Sequence, residues 1–134
     1  MSKKAFLSRD QIRGVVDAKF EDVEVPEWGG SVRVKALSGA ERDAFEASLT
    51  EQKGKKIRMR MQNVRARLVR LTCVDEKGVL IFQPSDEHWL GEKNAAALDR
   101  VFSVAMRLAG MRDEDIEELT ENFTEGPNDA STSD

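Results

Sequence analysis

The chain has 134 residues, which at roughly 100–200 residues per domain leaves room for one globular unit and a tail. Apolar residues are 40% and charged residues 34%, too apolar for a wholly disordered chain, while one cysteine (Cys73) and one histidine (His88) exclude a disulfide-stapled scaffold and a structural zinc module. A net charge of −4 gives no overall attraction to nucleic acid or anionic lipid, and no apolar run approaches the ~18 residues of a membrane span or forms a signal core after MSKKAF, so a cytosolic domain is expected.

Ser8 with Gln11 three positions on has the spacing of a capping box, which predicts a short helix over SRDQIRGVV, residues 8–16, within an N-terminal segment 1–19. In KFEDVEVPEWGGSVRVKAL, Val23 and Val25 alternate with acids and Val32 and Val34 alternate with bases on either side of Trp28-Gly29-Gly30. That period of two predicts a β-hairpin with Glu24 opposite Arg33 or Lys35, and places Pro26 at a strand end because it has no N–H for the ladder. Ser38 and Glu41 form a second capping box, predicting a helix from about Ala40 to Thr50 that buries Ala44, Phe45 and Leu49.

After Gly54, residues Ile57, Met61, Val64, Leu68 and Leu71 are spaced 4, 3, 4 and 3, which predicts one continuous helix. Asp75-Glu76-Lys77-Gly78 reads as a turn and Val79-Leu80-Ile81-Phe82 as a short strand. Pro84 to Glu87 opens a short helix through Trp89 and Leu90, closed near Gly91. Asn94 caps the next, whose apolar face is Ala97, Leu98, Val101, Phe102, Ala105, Met106 and Leu108, ending at Gly110. Asp113 opens a last helix with Ile116, Leu119 and Phe123 on one side. The expected fold is α+β and mainly helical: an N-terminal hairpin, about five helices and one short extra strand, in a single domain over 20–123 with a disordered polar tail, 124–134.

No catalytic or metal-binding set emerges. His88 sits beside Trp89 without a nucleophile in a recognisable motif, so a structural or surface role is expected, and Cys73, on or just after the apolar face of the long helix, reads as a core residue. Asp86/Glu87 and Asp113/Asp115 lack the layout of a calcium loop, and Gly29-Gly30 belongs to no phosphate-binding pattern. No cofactor is expected.

The strong asymmetry is in charge. Lys53, Lys55, Lys56, Arg58, Arg60, Arg65, Arg67 and Arg70 run without an intervening acid, while residues 113–134 carry nine acids and no base. A basic helix over 53–70 could bind phosphates as a nucleic-acid-binding regulator, but it has no aromatic residue to stack on bases. Attraction between the two oppositely charged blocks, within one molecule or between copies, ranks above that reading.

Three stretches together resemble the tail assembly chaperones of long-tailed bacteriophages and prophages. VEVPEWGGSVRVKALSGAERDAFEASL is similar to the family's hairpin and following helix start. RLVRLTCVDEKGVLIFQPSDEHWL is similar to its helix, acidic turn, strand and Asp before Leu. LDRVFSVAMRLAGMRDEDIEELTENF is similar to its helix, glycine and final acidic helix. The resemblance spans about Phe20 to Phe123 and rests on the order and spacing of the set.

The resemblance implies a non-enzymatic protein that binds the long tape measure protein, keeps it soluble, and helps recruit tail tube subunits. Such a chaperone works in the cytoplasm of the bacterial host and is not expected in the mature virion. A structural tail component that stays in the particle is the alternative within tails. In many members a ribosomal frameshift adds a domain that contacts the tube protein; this chain is similar to the shorter product. Self-association on the partner is expected, with basic and acidic blocks of neighbouring copies meeting. The candidate partner-binding residues are Arg58, Met59, Arg60, Arg65 and Arg67 in the basic stretch, with Met111, Ile116, Leu119 and Phe123 toward the acidic end.

Overall fold

A computed structural model describes residues 5–112 and 114. The predicted final helix, with Ile116, Leu119 and Phe123, and the polar tail 124–134 lie outside the described residues.

The chain begins with α1 (Arg9–Gly14), where Ser8 Oγ accepts from the Gln11 N–H and the Gln11 side chain accepts from the Ser8 N–H, the expected capping box. No residue of α1 is buried. Strands β1 (Phe20–Val25) and β2 (Gly30–Lys35) pair antiparallel, and Val23, Val25 and Val34 point into the core as the alternation requires. Pro26 starts a 3-10 turn, Pro26–Trp28, and Gly29 closes it at φ 81°, a left-handed conformation that favours glycine. This loop sets Val25 opposite Gly30, so the register differs from the expected one: Glu24 faces Ser31, and Asp22 faces Arg33 with Arg33 Nε 2.8 Å from its Oδ1.

Helix α2 (Gly39–Ala47) starts from the Ser38–Glu41 capping box. It buries Phe45, and Leu49 just beyond it, but Ala44 is exposed because it lies about 100° around the helix from Phe45. The helix also stops earlier than expected. Thr50 begins a two-stranded arm, β3 (Thr50–Lys53) and β4 (Lys56–Met59), joined by Gly54-Lys55 with Gly54 at φ 63°. A two-residue loop opening on glycine with positive φ is the geometry of a tight hairpin.

The long helix predicted from Ile57 is therefore shorter. Asn63 at φ 59° separates the arm from α3 (Val64–Thr72), which keeps Val64, Leu68 and the half-buried Leu71 of the stripe, while Ile57 is exposed on the arm. The two-residue strand β5 (Cys73–Val74) adds to β2, giving the order β1-β2-β5. The apolar run Val79–Phe82 makes a single bridge, Val74 to Leu80, instead of a full strand, because β5 offers only two residues to pair with. A 3-10 turn, Pro84–Asp86, leads into α4 (Glu87–Leu90), followed by α5 (Ala95–Leu108), where Asn94 Oδ1 accepts from the Ala97 N–H at 2.9 Å.

Helix α5 organises the core. Its buried face, Ala97, Leu98, Val101, Phe102, Ala105 and Met106, packs along α3 and across β1 and β2. It ends in a Schellman motif: Gly110, at φ 76°, donates to Arg107 O, and Met111 donates to Met106 O. That turn folds the Met111 side chain into the core beside Met106, both of them buried. The α+β class with helices predominating agrees with the expectation, with a second hairpin in place of part of a helix.

Ion pairs tie β1 and its turn to their neighbours. Glu27 makes a two-pronged pair with Arg100 of α5 at 2.7 and 2.9 Å, and Glu21 meets Arg107 at 2.8 Å. The hydrogen bond from Arg100, helped by a backbone N–H, pulls the Glu27 carboxyl down to about 2, and Arg107 and Arg33 lower those of Glu21 and Asp22. Carboxyls lowered in the fold add stability above their unfolded values, 4.5 for Glu21 and Glu27 and 3.8 for Asp22, that is lost as pH falls through the folded values. The melting temperature is expected to fall between pH 4.5 and about 2, and Arg100→Gln to flatten part of that slope. A Glu27 carboxyl that still titrates near 2 by NMR in that variant would contradict the assignment.

Candidate partner-binding surface

The groups that could support chemistry are placed against it. His88 is exposed, with Nε2 3.6 Å from Glu92 Oε2. Cys73 is fully buried on β5, and burial pushes its thiol up to about 12, the opposite of what a thiolate nucleophile needs. Among the described residues, no three His, Cys, Asp or Glu side chains are arranged to hold a metal ion, and no helix is long and apolar enough to cross a membrane.

The basic stretch divides by environment. Arg67 is 2% exposed and acts as an internal clamp: Nη2 donates to Gln62 O at 2.8 Å, Nη1 reaches Arg60 O and Ser48 O at 3.3 and 3.4 Å, and Nε donates to Glu87 Oε2 at 3.3 Å. Arg70 Nε takes the other Glu87 oxygen at 2.9 Å. One guanidinium thus joins the end of α2, the base of the arm, α3 and α4, and donates to three partly buried carbonyls as well as to a carboxylate. Arg65 donates to Asp99 Oδ1 at 2.9 Å and lies over the Phe102 ring at 5.5 Å. Arg58 and Arg60 stay exposed at the arm, with Met59 half-buried against the core. Of the candidate partner-binding residues, the structure therefore brings Arg58, Met59 and Arg60 together. It places Arg65 on another element, puts Arg67 and Met111 inside, and does not describe Ile116, Leu119 or Phe123.

Uncovered apolar surface occurs in two places that the basic stretch did not point to. Around α1, Phe6, Leu7, Ile12, Val15 and Val16 are exposed with nothing of the core against them. Beside β5, Val79, Leu80 and Ile81 are exposed together with Trp89, which is 43% exposed. Asp75 N–H donates to Val79 O and Ile81 N–H to Cys73 O, so the intervening Leu80 turns its backbone N–H and C=O outward as a sheet edge. Trp89 is held fixed next to it: Asp86 Oδ1 accepts from Nε1 at 2.9 Å, Phe82 packs edge-on at 5.9 Å, and Lys93 Nζ lies 5.8 Å from the ring. Hydrogen bonds from the Gln83 N–H and from Trp89 lower the Asp86 carboxyl. An exposed aromatic already locked in one orientation loses little entropy on binding, the property of an interface anchor. The signal was present in the sequence as Asp86 and Trp89 three apart in a short helix, following an apolar run that has too few β partners to be buried.

The arrangement offers adhesive surface and no reactive centre among the described residues. A family model for phage tail assembly chaperones matches residues 15–122. No curated protein and no solved structure gives a significant match. The match takes in the sheet, all helices from α2 to α5 and the Trp89 edge, and the chain belongs to the phage tail assembly chaperone family.

Proposed function

We propose that this chain is a non-enzymatic chaperone that holds the tape measure protein soluble in the bacterial cytoplasm, helps bring tail tube subunits to it, and is absent from the finished virion. Family membership supports the chaperone role. The observation that carries the choice of surface is the Leu80–Ile81 edge beside the fixed Trp89, apolar and uncovered on a chain with 34% charged residues. An elongated helix with an apolar stripe can lie on such an edge, and covering it lowers the concentration of aggregation-prone surface. The apolar residues around α1 provide a second contact. Of the basic residues, Arg58 and Arg60 with Met59 can meet an acidic stretch of the partner, while Arg67 and Met111 support the fold behind the surface. Engagement of Arg65, Arg67 and Arg70 by carboxylates within the chain leaves a weak case for nucleic acid.

Co-expression with the tape measure protein tests the reading. The wild-type chain is expected to raise the soluble fraction of that protein several-fold, and Leu80→Asp combined with Trp89→Ala to remove most of the gain while the circular dichroism spectrum and melting temperature stay near wild type. Equal solubility with and without the chain would overturn the proposal. Equal rescue by the folded double variant would move the contact away from the Trp89 edge.

A further inference from the structure

Two uncovered apolar features of this chain complement each other. The N-terminal segment, residues 5–19, is exposed at every position and carries Phe6, Leu7, Ile12, Val15 and Val16, of which Val16 is 90% exposed. The Leu80 edge, on the far side of the sheet, turns a backbone N–H and C=O outward beside Val79, Ile81 and the fixed Trp89. Their charges are opposite. Residues 1–19 hold five bases and two acids, and residues 75–93 hold five acids and two bases. Arg13 and Lys19 are exposed on the segment, and Asp75, Glu76 and Glu92 are exposed around the edge. Each feature therefore offers the other apolar cover and counter-charge.

We propose that the N-terminal segment of one copy covers the Leu80 edge of a second copy, and that reciprocal exchange closes two chains into a dimer. Val15 is extended, with φ −73° and ψ 136°, so the stretch after α1 can add to the edge as a strand and take up the Leu80 N–H and C=O. The chain's own segment is badly placed for this. Its root is held at the opposite edge, where Lys19 O accepts from Ala36 N–H at 2.8 Å. Asp22, Arg33, Val74 and Leu80 form one row across the sheet. That row puts Leu80 three strand spacings, about 14 Å, from β1 and about 10 Å along it from Lys19. The resulting ~17 Å would stretch residues 15–18 straight over the sheet and leave Val15 and Val16 as linker. A neighbour's segment has no such limit, and a reciprocal pair leaves neither feature open, which stops growth at two copies. The exchange hides both surfaces until a client displaces them; that consequence rests on the client site proposed above, and the exchange itself does not.

The test uses the full chain with no client present. Sedimentation at micromolar concentrations is expected to show a dimer that loosens as salt is raised. A chain that stays monomeric over that range overturns the proposal. Two variants are then compared, Ile12→Asp with Val16→Asp on the segment and Leu80→Asp on the edge. Each alone is expected to weaken the dimer at least ~10-fold with an unchanged circular dichroism spectrum. Dimerisation of either at wild-type strength overturns the pairing. Mixed together, the two variants are expected to form dimers tighter than either makes with itself, because an intact segment then meets an intact edge. Mixed dimers no tighter than the variants' own overturn the contact between segment and edge. Since no tape measure protein takes part, failure here bears on the exchange, and failure of the solubility test bears on the client site.

Discussion

Replacing Arg67 by alanine is expected to destabilise the fold by about 3–5 kcal/mol, the range for removing one partner of a buried charge pair. Arg70 still faces Glu87 in the variant, which moderates the electrostatic loss, but Gln62 O, Arg60 O and Ser48 O lose their donor in the same step. Each carbonyl left without a partner in the interior adds about 1–3 kcal/mol if water cannot reach it. Arg67→Lys keeps the charge but has no planar fork to span Gln62, Ser48 and Glu87 together, so an intermediate loss is expected. Urea unfolding gives the comparison directly, as a lower midpoint at similar slope. A loss under about 1 kcal/mol for the alanine variant, within the spread of surface substitutions, would show that the clamp is incidental.

Cys73 is expected to react with a thiol reagent at least ~10³-fold more slowly in the native chain than in urea-unfolded chain at the same pH. The side chain is fully buried on a strand flanked by β2 and the Leu80 edge, so reagent reaches it through unfolding, and domains of this size are stable by about 5–15 kcal/mol. The raised thiol adds the pH dependence. Stability linked to it is complete below the unfolded value of 9 and declines as pH climbs through 9 toward 12, where the unfolded chain is deprotonated and the folded chain is not. Arg67→Ala should shrink the protection by roughly a hundredfold or more, since each 1.4 kcal/mol is a factor of ten. Rapid native labelling at neutral pH would mean that β5 opens without global unfolding.

The parts of this fold that were legible in the sequence are those fixed by neighbours in the chain. The capping boxes at Ser8 and Ser38 and the cap at Asn94 each depend on two residues three apart, and all three form. The valine alternation likewise gave the first hairpin, though not its register, because the 3-10 turn after Pro26 takes up a residue count that alternation does not encode. The arm was missed because Ile57 and Met61 fall at helical spacing from Val64 by coincidence. Positive φ at Gly54 and Asn63 breaks that stretch, and the polar strands around Gly54-Lys55 lack the apolar alternation that marks a hairpin. The basic residues looked like one face since they are contiguous in sequence. Tertiary structure sends Arg67 inward to collect three carbonyls from two segments, which no local pattern reports. The Trp89 edge was hidden for a related reason: an apolar run such as Val79–Phe82 reads as buried until its shortage of strand partners is visible.

Helix α1 has six residues and nothing beneath it, well short of the ~12–15 that an isolated helix needs to persist in water. Its order is governed by the Ser8 cap and by whatever molecule comes to rest on it. Freezing such a segment at the moment of encounter subtracts from affinity and so hastens departure. Under the release from the finished tail proposed above, quick departure is as useful as capture, and the loosely held amino-terminal turn is where this chain can supply it.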